Sequence, residues 1–172
     1  MAIAGVSCTT ALDVQTAAAP DGTLSGRQSF RLMPEAQLRG REPLQDYDPM
    51  LPNSVTNAAI REEIRRALEK RGYHYAPDAA DMDVAYYATA APRLELVNFD
   101  YGYSWVDLPP DGIGASQFGK GTVIIDVVSP ATHRALWRGL YKGSVDPNPP
   151  DYVKEVRKAV NVIVGRFPAP SR

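Results

Sequence analysis

Apolar residues recur at spacings of three and four in two stretches of the chain, and this period predicts two amphipathic helices. The first helix is predicted over 54–71, where Ser54 or Asn53 can cap the N-terminus and Gly72 can end the helix in a left-handed conformation. The second is predicted from Asp151 to a proline stop. The apolar positions are Ile60, Ile64, Ala67 and Leu68 in the first helix and Val153, Val156, Val160, Ile163 and Phe167 in the second.

Shorter stretches rich in β-branched and aromatic residues predict strands. Two of them, Thr122–Val128 and Arg134–Lys142, are close enough in sequence to form a hairpin. A three-residue loop, Ala131–His133, places Asp126 opposite Arg138 as a cross-strand ion pair and leaves one face of the hairpin apolar. Further strands are predicted at Leu12–Gln15, Gln28–Leu32 and Met82–Thr89.

The order of these elements predicts an α+β fold. We expect a two-layer sandwich, in which a largely antiparallel sheet of about five strands carries two helices on one face. The 15 prolines agree with this division, because proline is excluded from helix interiors and central strands and here falls between the predicted elements. Residues 12–168 form one predicted globular domain, with a tether at 1–11 and a tail at 169–172.

The composition is that of a globular domain and argues against some classes of function. The 172 residues are 44% hydrophobic and 23% charged, which is enough to form a core without metal or disulfide crosslinks. A single cysteine cannot form an internal disulfide. The net charge of -1 lacks the basic excess that drives binding to nucleic acid, so nucleic acid is not an expected partner.

Two stretches lack a regular pattern. Residues 33–52 contain four of the prolines and are predicted to form an extended connection over the surface. Residues 98–119 are rich in glycine and aromatic side chains and are predicted to form a long loop. Loops of this length in a compact domain are usually functional or mobile, so this loop is the main functional candidate. Tyr101, Tyr103 and Trp105 would offer an amphipathic surface to a protein partner, or a stacking platform to a small ligand or cell-wall glycan. Alternatively, these rings fold back and cover one face of the sheet.

The residues do not form a recognisable catalytic or metal-binding pattern, so we expect no enzymatic activity, cofactor or metal ion. His74 and His133 are predicted on the surface, away from any strained nucleophile turn. The acids Asp78, Asp81 and Asp83 lack the glycine and closing glutamate of a calcium loop and are predicted to be solvated. A weaker hypothesis is a hydrolase whose acid pair is drawn from Asp100, Asp107 and Asp111.

Cys8 follows a short apolar run, as the first mature residue of a bacterial lipoprotein does. Ser7 suits the position before such a cysteine, whereas Gly5 stands where an aliphatic residue is usual. No basic segment or apolar stretch of about 7 to 15 residues precedes Cys8 in this chain. The pattern leaves two interpretations: Cys8 is lipidated in a natural precursor, or it is an incidental residue of a frayed terminus.

The order of several short motifs resembles one bacterial family, the envelope lipoproteins grouped as a domain of unknown function (number 4136). The motifs are Cys8-Thr9-Thr10, Asp13-Val14, Leu24-Ser25-Gly26, Ala67 to Tyr73, Gly121 to Asp126 and Leu136 to Gly139. The resemblance implies lipid anchoring at Cys8 in the envelope of a Gram-negative bacterium. We expect the periplasmic side of the outer membrane, with an envelope protein or cell-wall component as partner. The resemblance implies no catalytic residues, because none are established for the family.

Overall fold

A computed structural model describes residues 13–19, 24–33, 54–88, 122–142 and 149–171 of the chain. Within these ranges, six strands form one mixed sheet and two helices pack against each other. The strands are β1 (Asp13–Ala18), β2 (Ser29–Leu32), β3 (His74–Tyr75), β4 (Met82–Ala88), β5 (Thr122–Val128) and β6 (Ala135–Lys142). The helices are α1 (Val55–Lys70), which lies between β2 and β3, and α2 (Pro149–Arg166).

The sheet has the strand order β1-β6-β5-β4-β2-β3. Neighbours from β1 to β4 are antiparallel, whereas β2 is parallel to both β4 and β3. The α+β class is therefore confirmed, but the prediction of about five strands is wrong, because the sheet has six. The missed strand, β3, has only two residues, too few to show a hydrophobic period. The two-layer arrangement stays a prediction.

The predicted first helix is confirmed together with both of its ends. The Ser54 hydroxyl accepts a hydrogen bond from the N–H of Asn57 (3.0 Å) and caps the N-terminus. At the other end the N–H of Tyr73 donates to the carbonyl of Leu68 (3.2 Å), which is the outer bond of a Schellman motif. Gly72 makes this turn possible because its φ of +100° is unfavourable for other residues.

The hairpin of β5 and β6 has the predicted register but a different loop. Asp126 lies opposite Arg138, as expected. The loop, however, has four residues, Pro130–His133, where three were predicted. The predicted loop would have placed Pro130 in the ladder, where proline has no N–H to donate. Leu136 is the extra residue of a β-bulge that restores the register after the longer loop.

Contacts with both helices identify the face of the sheet that they cover. The rings of Trp137 and Phe167 meet edge to face at 5.0 Å, and α2 passes so close to Gly139 that no side chain fits there. The hydroxyl of Tyr86 donates to Oδ1 of Asn57 in α1 (2.9 Å), and both side chains are buried. Because successive side chains of a strand alternate between faces, the residues next to these along each strand point away from the helices.

Asp81 fixes the start of β2. Its Oδ2 accepts hydrogen bonds from the N–H groups of Gln28 (3.0 Å) and Ser29 (2.9 Å) and from the Ser29 hydroxyl (2.8 Å). The bond from Gln28 contributes most to lowering the pKa of the Asp81 carboxyl, followed by the bonds from Ser29. These bonds favour the ionised form, so folding and ionisation of Asp81 stabilise each other.

Replacing Asp81 with asparagine is expected to make the protein less sensitive to acid. The folded pKa lies below the ordinary value of 3.8, so the stabilisation by Asp81 is complete above about pH 5 and is lost as the pH falls through the folded value. We expect Asp81→Asn to cost about 1 kcal/mol at pH 7, since the carboxylate is solvent-exposed and screened, and less at pH 2.5. Urea unfolding at both pH values measures the difference.

Asp78→Asn is the control for this prediction, because Asp78 accepts no hydrogen bond from the described residues. Its unfolding free energy should follow that of the wild type at both pH values. An equal loss at pH 7 and pH 2.5 in Asp81→Asn would contradict the role of the ionised carboxylate.

Candidate functional site

A buried ion pair lies on the sheet face that points away from the helices. The Arg138 side chain donates through Nε to Asp126 Oδ1 (2.8 Å) and through Nη2 to Oδ2 (2.9 Å). The two side chains are 11% and 2% exposed. Their residues face each other directly in the ladder of β5 and β6. The arrangement is bidentate, which is the strongest geometry for an arginine and a carboxylate.

A second ion pair lies beside the first on the same face. Arg31 Nε donates to Asp83 Oδ1 (2.6 Å), and Nη2 is 3.3 Å from Oδ2. The hydrogen bond and charge of Asp83 raise the pKa of the Arg31 guanidinium. Asp126 is opposite Ala85, two residues from Asp83, so Asp126 and Asp83 are diagonal neighbours on this face, with a typical residue spacing of about 7–8 Å. We name these four charged residues the polar ladder.

The polar ladder consists of two neighbouring ion pairs, each joining an arginine and an aspartate of adjacent strands. In both pairs each carboxylate oxygen lies 2.6–3.3 Å from a guanidinium nitrogen. The pair of Arg31 and Asp83 was missed at the sequence level because it depends on parallel pairing between β2 and β4, which are distant in sequence. The prediction that Asp83 is solvated is wrong, since the residue is 8% exposed.

The breaks in the described chain concentrate at one end of the sheet. The register places Asp13, which begins β1, opposite Lys142, which ends β6, and Lys142 opposite Thr122, which begins β5. Ala88, which ends β4, pairs with the second residue of β5. We call this the basal end. Residues 89–121 therefore leave the described fold at the basal end and rejoin it there.

Both helices run from the basal end towards the opposite, apical end. Helix α1 connects the parallel strands β2 and β3, so it runs against their direction and starts where β2 ends. Helix α2 lies alongside it in the same direction, because Glu63 contacts Asn161 and Arg71 contacts Gly165 further along both helices. Val55, the first residue of α1, is 83% exposed, unlike the other large apolar residues in the described ranges.

Cys8 stands five residues before β1, so the intervening chain spans about 17 Å at most. Its attachment point is thus the basal end, the same end at which the segment with the aromatic candidates is attached. Several predicted positions lie outside the described residues. They are Cys8, Tyr101, Tyr103 and Trp105, the acids Asp100, Asp107 and Asp111, and residues 34–52.

The two histidines are far apart in the sheet. His74 is an exposed residue of the edge strand β3, and His133 is exposed in the turn between β5 and β6. Across the ranges that the structure describes, no three His, Cys, Asp or Glu side chains form a group able to hold a metal ion. The helices in those ranges are also too short or too polar to span a membrane.

Comparison with known sequences decides the family. The sequence profile of the family described as "Domain of unknown function (DUF4136)" matches residues 14–169. The chain belongs to this family. The matched region begins one residue into β1 and ends after α2, so it contains the described sheet except for Asp13, together with both helices. Cys8 lies just outside the DUF4136 domain, on its N-terminal side. No curated protein shows significant similarity to the chain.

Solved structures resemble this DUF4136 domain at low sequence identity. A PDZ domain protein from Parabacteroides distasonis superposes with a TM-score of 0.51 and 13% identity, over 94% of this chain and 36% of that protein. The chain thus spans about a third of that relative, and the likeness concerns the fold alone. A PelC dodecamer from Paraburkholderia phytofirmans gives 0.45 at 8% identity, over 93% and 99% of the two chains. A variant PelC dodecamer gives 0.41 at 10% identity, over 90% and 98%.

Proposed function

We propose that this chain is a non-enzymatic domain of the cell envelope, lipid-anchored through Cys8, that binds an envelope partner at its basal end. The observation that carries the proposal is the register of β1, β6 and β5. It brings the start of β1 next to the strand ends that flank residues 89–121. A lipid anchor and an aromatic-rich segment would thereby act at the same end of one rigid sheet.

The short link between Cys8 and β1 would keep the basal end of the sheet close to the membrane. A lipid on Cys8 would hold the start of β1 within about 17 Å of the membrane surface, because only four residues separate Cys8 from Asp13. Tyr101, Tyr103 and Trp105 belong to a segment with both attachment points at that end. Such side chains are favoured at protein interfaces, since they combine large apolar area with a polar group. The exposed Val55 adds apolar surface to the same end.

The anchoring step is tested with Cys8→Ser, expressed in a Gram-negative host from the natural reading frame including its upstream sequence. We expect the wild type to incorporate a radiolabelled fatty acid and to sediment with outer membranes, and the variant to do neither. Thr9→Ser is the matched control and should behave as the wild type. Membrane recovery of unlabelled Cys8→Ser protein, or a wild type without lipid, would refute the anchor.

The binding step is tested separately by crosslinking in intact envelopes. Tyr103→Ala and Trp105→Ala are expected to reduce the yield of a specific crosslinked partner, whereas Tyr47→Ala, an aromatic residue outside the candidate loop, should leave it unchanged. Retention of purified cell-wall glycan fragments in place of a protein would favour the glycan-binding alternative. Equal crosslinking by all variants would remove the aromatic segment from the proposal.

A further inference from the structure

A groove of about 320 Å³ opens at the apical end, between the C-terminal ends of α1 and α2. It therefore lies at the opposite end of the sheet from the start of β1 and is independent of the basal surface. Its apolar lining comes from Ala67, Val164 and Ala169, and its polar lining from Lys70, Arg71 and Asn161. The lining contains two positive charges and no carboxylate.

The two cations of the groove differ from Arg65 and Arg66, which lie nearby in α1. Arg65 and Arg66 form ion pairs with glutamates of their own helix, whereas Lys70 and Arg71 have no carboxylate partner among the described residues. Arg71 is held in place because its Nη1 donates to the carbonyl of Gly165 (3.1 Å). The positive charge at the groove is therefore not neutralised by a neighbouring acid.

The Nε of Arg71 provides the second observation. This donor is buried and has no hydrogen-bond acceptor within the described fold. Nearly all buried donors in folded proteins have a partner, so the Arg71 guanidinium beside the groove has hydrogen-bonding capacity that the described fold does not use. An oxyanion suits the position, because guanidinium groups bind carboxylates through short charge-assisted hydrogen bonds.

Asn161 adds a hydrogen-bond acceptor to the groove, whereas Lys70 and Arg71 are donors. Its Nδ2 donates to Glu63 Oε1 (2.6 Å) and to the carbonyl of Arg157 (2.8 Å), so both amide hydrogens are in use. This fixes the orientation of the side chain and leaves its Oδ1 to accept a hydrogen bond. The groove thus combines two cationic donors, one neutral acceptor and an aliphatic wall.

The groove lies at the C-terminal ends of two helices, where the helix dipoles place partial negative charge and so disfavour an anion. This partial charge can be compared with the positive charges of the lining side chains. Each helix C-terminus carries about half a negative charge, whereas Lys70 and Arg71 each carry a full positive one. Arg71 also occupies the carbonyl of Gly165, in the last turn of α2. The balance at the groove therefore favours an anion.

We propose that the apical groove binds a free carboxylate carried by a short peptide-like molecule. In this arrangement the Arg71 guanidinium and Lys70 Nζ donate to the carboxylate, and Asn161 Oδ1 accepts an N–H of the same ligand. The aliphatic wall of Ala67, Val164 and Ala169 contacts a small apolar side chain. This site is distinct from the proposed basal surface and needs neither the lipid anchor nor the aromatic segment.

The probe is acetyl-Ala-Ala-Ala with a free C-terminus, titrated into the ¹⁵N-labelled chain and followed by amide chemical shifts. We expect saturable shifts at Gly165 and Ala169, and at least tenfold weaker binding of the same peptide as its C-terminal amide. Inorganic phosphate is the third ligand titrated, alongside the free peptide and its amide. Phosphate binding as tight as the free peptide, or equal binding of acid and amide, would overturn the assignment to a peptide carboxylate.

Two variants locate the site. Lys70→Gln is expected to weaken binding of the free peptide about fivefold and to leave the protein folded, because Lys70 makes no ion pair in the described fold. Arg71→Gln should weaken it about tenfold or more. Lys154→Gln removes an exposed charge of α2 outside the groove and should bind as the wild type does. Unchanged affinity in Lys70→Gln and Arg71→Gln would refute the site even if some peptide binds.

Discussion

Replacing Gly139 with alanine is expected to lower the free energy of unfolding by about 3 kcal/mol, which corresponds to a fall in Tm of about 6–12 °C for a chain of this size. A Cβ at this position would lie less than 3.0 Å from both Ile163 Cγ2 and the Trp137 ring. Both neighbours are buried, at 0% and 3% exposure, and have little room to retreat. Thermal and urea unfolding measure the loss.

Gly165→Ala is the matched control, because a Cβ at Gly165 in α2 meets no atom within 4 Å. Alanine has the higher helix propensity, so this variant should gain about 0.5–1 kcal/mol. Opposite signs for the two glycines would show that close packing of α2 on β6, and not glycine content, controls stability. A Gly139→Ala protein that unfolds like the wild type would mean that α2 does not approach β6 this closely.

Breaking the buried ion pair is expected to cost a similar amount. Arg138→Met should destabilise the protein by about 3 kcal/mol, because it removes the guanidinium from a carboxylate whose side chain is 2% exposed. The matched control is Arg31→Met in the second pair of the polar ladder. The Asp83 side chain that stays behind is 11% exposed, so water reaches it more readily than it reaches Asp126, and the expected cost is smaller, about 1 kcal/mol.

A double substitution separates the pair from its parts. Asp126→Leu combined with Arg138→Met should recover most of the stability lost in Arg138→Met, because the uncompensated buried charge is then gone. Urea unfolding of Asp126→Leu, Arg138→Met and the double variant gives the coupling free energy between Asp126 and Arg138. Equal losses for Arg138→Met and Arg31→Met would contradict the assignment of Asp126 and Arg138 as the buried pair.

Local patterns predicted most of the elements and little of their assembly. The predicted bounds of helix α1 were accurate to one residue at each end, because Ser54 and Gly72 act within one turn of the helix. The opposition of Asp126 and Arg138 followed from a hairpin whose strands are neighbours in sequence. The bulge at Leu136 was missed because it depends on Pro130 avoiding the ladder, a preference that competes with loop length.

By itself, the sequence determined both helices, five of the six strands, the α+β class and the resemblance to the DUF4136 family, since caps, periodicity and short motifs are local. Only the tertiary structure decided the parallel addition of β2 and β3, the pair of Arg31 and Asp83, and the close approach of α2 to Gly139. It also brought the attachment points of residues 89–121 and the start of β1 together at the basal end of the sheet. These features join residues far apart in the chain, and pairing at long range leaves no period in the sequence.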